Sequence, residues 1–123
     1  MKDIITLYLT GKEGISWVKI KVHDGDRLLD YYIPAFTNPP IVYDEERSKY
    51  VRERDYTNDP TVPILPRRAI QGLHFFSEHP KFHRNVSKFA SGFVVSDTLR
   101  KALKKARLTN LLFEKLPPGK FVD

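Results

Sequence analysis

Ser16-Trp17-Val18-Lys19-Ile20-Lys21-Val22-His23-Asp24-Gly25-Asp26-Arg27-Leu28-Leu29-Asp30-Tyr31-Tyr32-Ile33 reads as a strand, a tight turn and a second strand. Val18, Ile20 and Val22 alternate with Trp17, Lys19 and Lys21, the period of two expected of a pleated backbone. Asp24-Gly25-Asp26 is turn chemistry, because Gly supplies positive φ and Asp bonds its own backbone. Residues 27–33 end in aromatic and β-branched side chains, with Pro34 directly after, which favours a strand over a helix.

Upstream, Ile5, Leu7 and Leu9 alternate with Thr6, Tyr8 and Thr10, so residues 3–10 read as a further strand. The Gly-bearing turn at 10–14 would pair it with 16–22 as a hairpin. Downstream, Asn38-Pro39-Pro40 breaks the pattern. Residues 41–43 could form a short strand, and the charged residues 44–54 a helix or a long solvated loop. Asn58-Asp59-Pro60 and residues 63–66 are further breaks. Residues 66–89 hold Ile70, Leu73, Phe75, Phe76, Phe82, Val86 and Phe89, a core or docking segment.

Residues 93–95 read as a short buried strand or an extended entry to the next element. Ser96 is an N-cap and Asp97 complements the positive helix end. Leu99, Ala102, Leu103 and Ala106 then fall at i, i+3, i+4 and i+7, the apolar stripe of an amphipathic helix over 97–107. Thr109 and Asn110 end it, and residues 111–113 read as a final strand, closed by Pro117-Pro118-Gly119. The expected fold is therefore α+β: one domain over residues 1–123, an antiparallel sheet from the N-terminal strands, a Pro-rich irregular middle, and the C-terminal helix packed on the sheet.

The chain has 123 residues, 41% apolar and 12% aromatic, enough for a core and too rich for a disordered chain. It has no cysteine, which excludes disulfides, thiol nucleophiles and thiolate metal sites. No apolar run approaches the roughly 18 residues of a membrane span. Nor does the N-terminal stretch have the apolar region and cleavage site of a signal peptide, so a cytoplasmic location is the expectation.

Net charge is +6, unevenly placed: −2 over residues 1–60 and +8 over residues 61–123. A basic half points to an acidic partner, which nucleic acid, an anionic membrane or an acidic protein surface could supply. Arg100, Lys101, Lys104, Lys105 and Arg107 lie off the apolar stripe of the helix, and Arg67 and Arg68 add to the basic half. These seven are the candidate partner-binding residues. The helix has two Leu and two Ala and no aromatic anchor on its apolar face, which argues against a membrane surface. A nucleic-acid-binding module is the alternative reading. It would use the same cations on phosphates, but no helix-turn-helix, zinc-finger or aromatic RNA-binding signature accompanies them.

His74, His79 and His83 lie within ten residues, yet Pro80 spoils a regular helix between the last two, so three ordinary histidines explain them better than a zinc site. His23, Asp24 and Asp26 are explained by the turn. Ser96 has no evident His partner in the sequence, and the cap accounts for it. No phosphate-binding loop or dinucleotide fingerprint is present. No catalytic residue, metal or cofactor is expected, and the chain reads as a binding protein and not an enzyme.

The last third resembles a known family. Val95-Ser96, the amphipathic helix and Leu108-Thr109-Asn110-Leu111-Leu112-Phe113-Glu114 are similar to the C-terminal signature of the eleventh family of bacterial polymorphic-toxin immunity proteins. That signature has an apolar Val-Ser lead-in, a helix, and a Leu-Thr-small-x-x-Phe-Glu exit. The family's usual Gly near the exit is Asn110 here, which can also take a left-handed turn. The resemblance covers about 25–30 residues, from near Ser91 to Glu114. It implies a cytoplasmic α+β protein that protects its host by binding a cognate polymorphic toxin; the basic half adds the expectation of an acidic surface on that toxin, and occlusion of its active site or substrate surface is the expected mode of neutralisation. It carries over no catalytic residue, and the contact residues above rest on charge alone.

Overall fold

A computed structural model of the chain describes residues 1–50, 59–81, 93–108 and 111–123. His83, Phe82, Val86, Phe89, Thr109, Asn110 and residues 51–54 of the charged segment lie outside these. The fold is α+β. In chain order it has α1 (Lys2–Leu7), β1 (Ile15–Asp24), β2 (Arg27–Phe36), β3 (Leu65–Pro66), α2 (Arg67–Ile70), β4 (Phe75–Ser77), β5 (Phe93–Val95), α3 (Asp97–Lys105), a 3-10 turn (Pro118–Lys120) and β6 (Phe121–Val122).

The antiparallel hairpin is β1–β2, paired from Ile15↔Phe36 to Asp24↔Arg27. Its two-residue loop has Gly25 at φ 61 and Asp26 outside the positive-φ region. That is the type II′ pattern, whose twist matches the flanking strands. The second strand runs three residues past the expected end at Ile33. Pro34 is accommodated because a two-stranded ribbon has only edge strands.

Residues 3–10 are not a strand. Residues 2–7 form α1, with Asp3 in the first turn. The run fits both periods, and tertiary contact decides between them. Ile5 is fully buried, Ile4, Tyr8 and Leu9 pack beside it, and Leu7 is 82% exposed. This stripe follows the helical period and meets α3.

Two shorter expectations also change, and over the described part of the charged segment the loop alternative holds and the helix does not. Residues 41–43 form no strand; Val42 and Tyr43 are buried individually. Over its described part the charged segment is a single turn capped by Asp44, whose Oδ1 accepts from the amides of Glu46 and Arg47 at 3.0 Å. Residues 111–113 form no ladder; Leu111 and Phe113 pack on the core while Leu112 is 88% exposed. The chain then runs through the 3-10 turn into β6, which lies parallel to β3.

The core has two clusters, and the β4–β5 ribbon separates them. Phe75 pairs with Val95 and Phe76 with Val94, so alternate residues point to opposite faces. Phe75, Phe93 and Val95 join Ile5, Phe36, Leu99 and Leu103 in the first cluster. The Phe75 ring stacks on Phe36 at 5.7 Å and lies 4.6 Å from Phe93. Phe76 and Val94 join Val42, Tyr43, Leu65, Ile70 and Phe121 in the second.

The second cluster is closed by one ion pair. Lys120 Nζ donates to both carboxylate oxygens of Glu78 at 2.7 and 2.9 Å, with both side chains mostly buried. This ties the C-terminal turn to the end of β4. Lys120→Met leaves the Glu78 carboxylate short of its partner and is expected to cost about 2 kcal/mol, below the full value for a deeply buried pair because both groups keep some water contact. Replacing both residues with apolar ones should recover much of that loss. Urea unfolding checks it, and wild-type stability in K120M would contradict it.

Candidate basic interface

Helix α3 begins where Ser96, in extended backbone, accepts from the Leu99 amide at 3.1 Å. Leu99 and Leu103 are buried in the first cluster, which fixes the rotation of the helix about its axis. The basic residues therefore face outward.

They do not form one uniform set. Asp97 takes the Arg100 guanidinium at 2.7 Å and the Lys101 ammonium at 3.1 Å. The Arg100 and Lys101 hydrogen bonds hold the Asp97 carboxyl below its ordinary range. Lys104, Lys105 and Arg107 are exposed and have no ion-pair partner among the described residues. They lie in and just past the last turn, where cations complement the negative helix end.

The helix stops earlier than 107. Ala106 closes it with αR backbone, and Arg107 then turns left-handed at φ 54. It is the one non-glycine residue with positive φ among those described. Such a conformation costs an L-residue about 1 kcal/mol that glycine would not incur. The reversal thus falls at a cation, upstream of Thr109 and Asn110.

Arg67 and Arg68 belong elsewhere. They sit on the single turn α2, whose Ile70 packs on the second cluster, so the β4–β5 ribbon lies between them and α3. Arg67 bonds Asp123 at 3.3 Å and lies 5.8 Å from the Phe121 ring. Arg68 lines a shallow depression with Ile70, Gln71 and Phe121. The seven candidate residues are therefore two separate basic patches, four on α3 with Arg107 just past its end, and two on α2.

Ser96 does have a histidine partner. His74 Nδ1 lies 2.7 Å from Ser96 Oγ, and the Ser96 amide donates to the His74 carbonyl at 3.0 Å. The Tyr8 ring meets the imidazole edge-on at 5.4 Å. The residues are 22 apart in sequence, and only the β4–β5 register, in which Phe75 faces Val95, brings them together. The serine hydroxyl serves two partners here, the helix amide and the imidazole. The contact fastens the start of α3 to the ribbon and sets the helix's position as well as its rotation.

His23 lies near the hairpin tip, one rung from the closing Asp24↔Arg27 pair. No group of three His, Cys, Asp or Glu able to hold a metal occurs among the described residues, and no helix there is long and apolar enough to cross a membrane. Elsewhere, burial and the Asp59 carboxylate, which accepts from its hydroxyl at 3.1 Å, push the Tyr43 phenol well above its ordinary range. Comparison with family models, curated proteins and solved structures finds no match for this chain.

Proposed function

We propose that the chain is a cytoplasmic binding protein of the immunity type, which neutralises a cognate bacterial toxin by covering its active site or substrate surface. The outer face of α3 is the contact surface, and the toxin presents an acidic patch to it. The observation that carries this reading is the cluster of Lys104, Lys105 and Arg107. Three exposed cations without ion-pair partners among the described residues stand in the last turn of, and just past, a helix whose position is fixed by two buried leucines and a shared cap. Arg107 occupies a backbone conformation that glycine would adopt more cheaply. A strained residue of the right charge at the rim of a basic surface supports a functional role for that surface.

Arg100 and Lys101 contribute less, because Asp97 already neutralises part of their charge. Cations held ready on a rigid scaffold steer an acidic partner and fix its orientation. The resemblance around Val95-Ser96 and residues 108–114 supports the immunity class. Co-expression tests it. Cells producing the toxin encoded beside this chain should grow when the chain is present and die when it is absent. Death in both cases, with the chain shown to be soluble and abundant, would exclude the reading.

A further inference from the structure

The root of the β1–β2 ladder fixes which backbone groups point out of it. The Gly14 carbonyl accepts from the Thr37 amide at 2.9 Å, so the Ile15↔Phe36 rung beside it is a non-hydrogen-bonded pair. Every second rung from Ser16↔Ala35 to Asp24↔Arg27 is then hydrogen-bonded. The N–H and C=O groups of Trp17, Lys19, Lys21 and His23 therefore point away from β2. They have no hydrogen-bond partner among the described residues.

The two outer edges of the ribbon differ. On β2, Pro34 falls at an outward position and brings no N–H, and residues 34–36 are buried. That edge is closed to a further strand. On β1 the pairing runs without a bulge or proline, and Lys19, Lys21, Val22 and His23 are exposed. One face of β1 is rooted in the first cluster by Ile15 and Trp17 and continues outward as Lys19, Lys21 and His23. The other face carries Val18, Ile20 and Val22.

We propose that the outer edge of β1 takes an extended segment of an acidic partner protein as a third strand. Its free groups recur every second residue, roughly 6.6 Å apart, a spacing that another extended backbone matches. Side chains choose the sequence of that segment. Residues directly opposed across a ladder share a face, so acidic residues would meet Lys19 and Lys21 while β-branched residues meet Val18, Ile20 and Val22. Lys19 already shares Asp30 at 3.2 Å, but Lys21 has no ion-pair partner among the described residues. A second copy of the chain is the wrong occupant. Antiparallel pairing of this edge with itself over residues 17–23 would set Lys19 against Lys21 twice, and like charges directly opposed are unfavourable. Lysines on an edge strand guard it against its own kind in this way. The guard works by charge, so it does not turn away an acidic strand.

An unstructured peptide loses much of the gain from such pairing to its own ordering, so its Kd should be on the order of 100 µM. The probe is a capped peptide of about nine residues that alternates Glu and Val, long enough to span residues 17–23. It is titrated to about 1 mM into the labelled full chain, with amide shifts and amide hydrogen exchange followed by NMR. Protection should rise at Trp17, Lys19, Lys21 and His23 and stay unchanged at Val18, Ile20 and Val22, whose amides already face β2. The same peptide with Lys in place of Glu should bind at least about ten-fold more weakly. Lys21→Pro removes an outward donor and leaves the β1–β2 hydrogen bonds in place, as Pro34 does on β2, and should abolish binding. Lys21→Glu, which keeps the donor, should reverse the preference between the two peptides. No binding of the Glu peptide at about 1 mM would overturn the proposal. So would equal affinity for the two peptides, or shifts confined to α3 or β2. So would a Lys21→Glu variant that binds the Glu peptide as the wild type does, or a wild-type chain that dimerises through this edge.

Discussion

Gly14→Ala is expected to destabilise the chain by about 3 kcal/mol, enough to lower the melting temperature by roughly 10 °C or more in a domain of this size. Gly14 sits at φ 67, and an added Cβ would fall 1.8 Å from the Asn38 carbonyl oxygen and 2.2 Å from its carbon. Neither atom can swing aside, since both belong to the backbone. The Gly14 carbonyl also accepts from the amides of Thr37 and Asn38 at 2.9 and 3.0 Å. Moving residues 37–39 away therefore loses two hydrogen bonds of about 1 kcal/mol each. The positive φ adds about 1–2 kcal/mol for an L-residue.

The damage would spread, because Gly14 precedes the Ile15↔Phe36 rung and Phe36 is fully buried. Glu13 holds the other side of the same turn. Its buried carboxylate accepts from both the amide and the hydroxyl of Thr10. Gly11→Ala is the control. Gly11 has φ 89 and nothing within 4 Å of an added Cβ, so only the backbone term applies, about 1–2 kcal/mol. Denaturant unfolding of both variants decides the matter. Equal losses at the two glycines would mean that the contact with Asn38 does not set the stability of this turn.

Local chemistry was the readable part of this sequence. Asp24-Gly25-Asp26 specified its turn, the alternation over 16–22 specified the strand before it, and the aromatic and β-branched end ahead of Pro34 specified the strand after it. Ser96, Asp97 and the Leu99/Leu103 stripe specified α3 and its buried face. These features need no knowledge of what lies across the fold. The misreadings share a cause. Residues 3–10 fit periods of two and of 3.6 equally well, and only the meeting of Ile5 with Leu99 and Leu103 selects the helix. Residues 41–43 and 111–113 have strand composition but no strand opposite them in the described chain, so their apolar residues are buried without a ladder.

The candidate site was legible as charge and not as geometry. Nothing in the sequence places Arg67 and Arg68 across the β4–β5 ribbon from α3. The His74–Ser96 contact depends on the register of that ribbon, which joins segments 22 residues apart. The left-handed turn at Arg107 was equally hidden, because a downstream Asn is the better local signal for such a turn. The alternation of 18–22 was plain, but not which face of the ribbon meets the core.

Reversing Lys104, Lys105 and Arg107 to Glu is expected to weaken toxin binding by 100-fold or more, about 2.7 kcal/mol or above. The three positions are exposed and outside both clusters, so the helix stripe and the Ser96 cap stay as they are. Arg107→Glu keeps a non-glycine residue at φ 54 and adds no new backbone cost there. Arg100 and Lys101 are left in place, because reversing them would set like charges beside Asp97 and confuse lost binding with lost stability. Each reversal replaces an attraction with a repulsion at an acidic surface, so the association rate should fall and its salt dependence weaken. Isothermal titration of the wild type and of K104E/K105E/R107E against the toxin encoded beside the chain, with melting temperatures measured in parallel, puts the central claim to its most direct test. The account predicts a nanomolar Kd for the wild type and at least a 100-fold loss in the variant, with both proteins folded at the assay temperature and the variant's melting temperature lower by several degrees, because three carboxylates then stand at the negative end of α3. Equal affinity in the two proteins would contradict it.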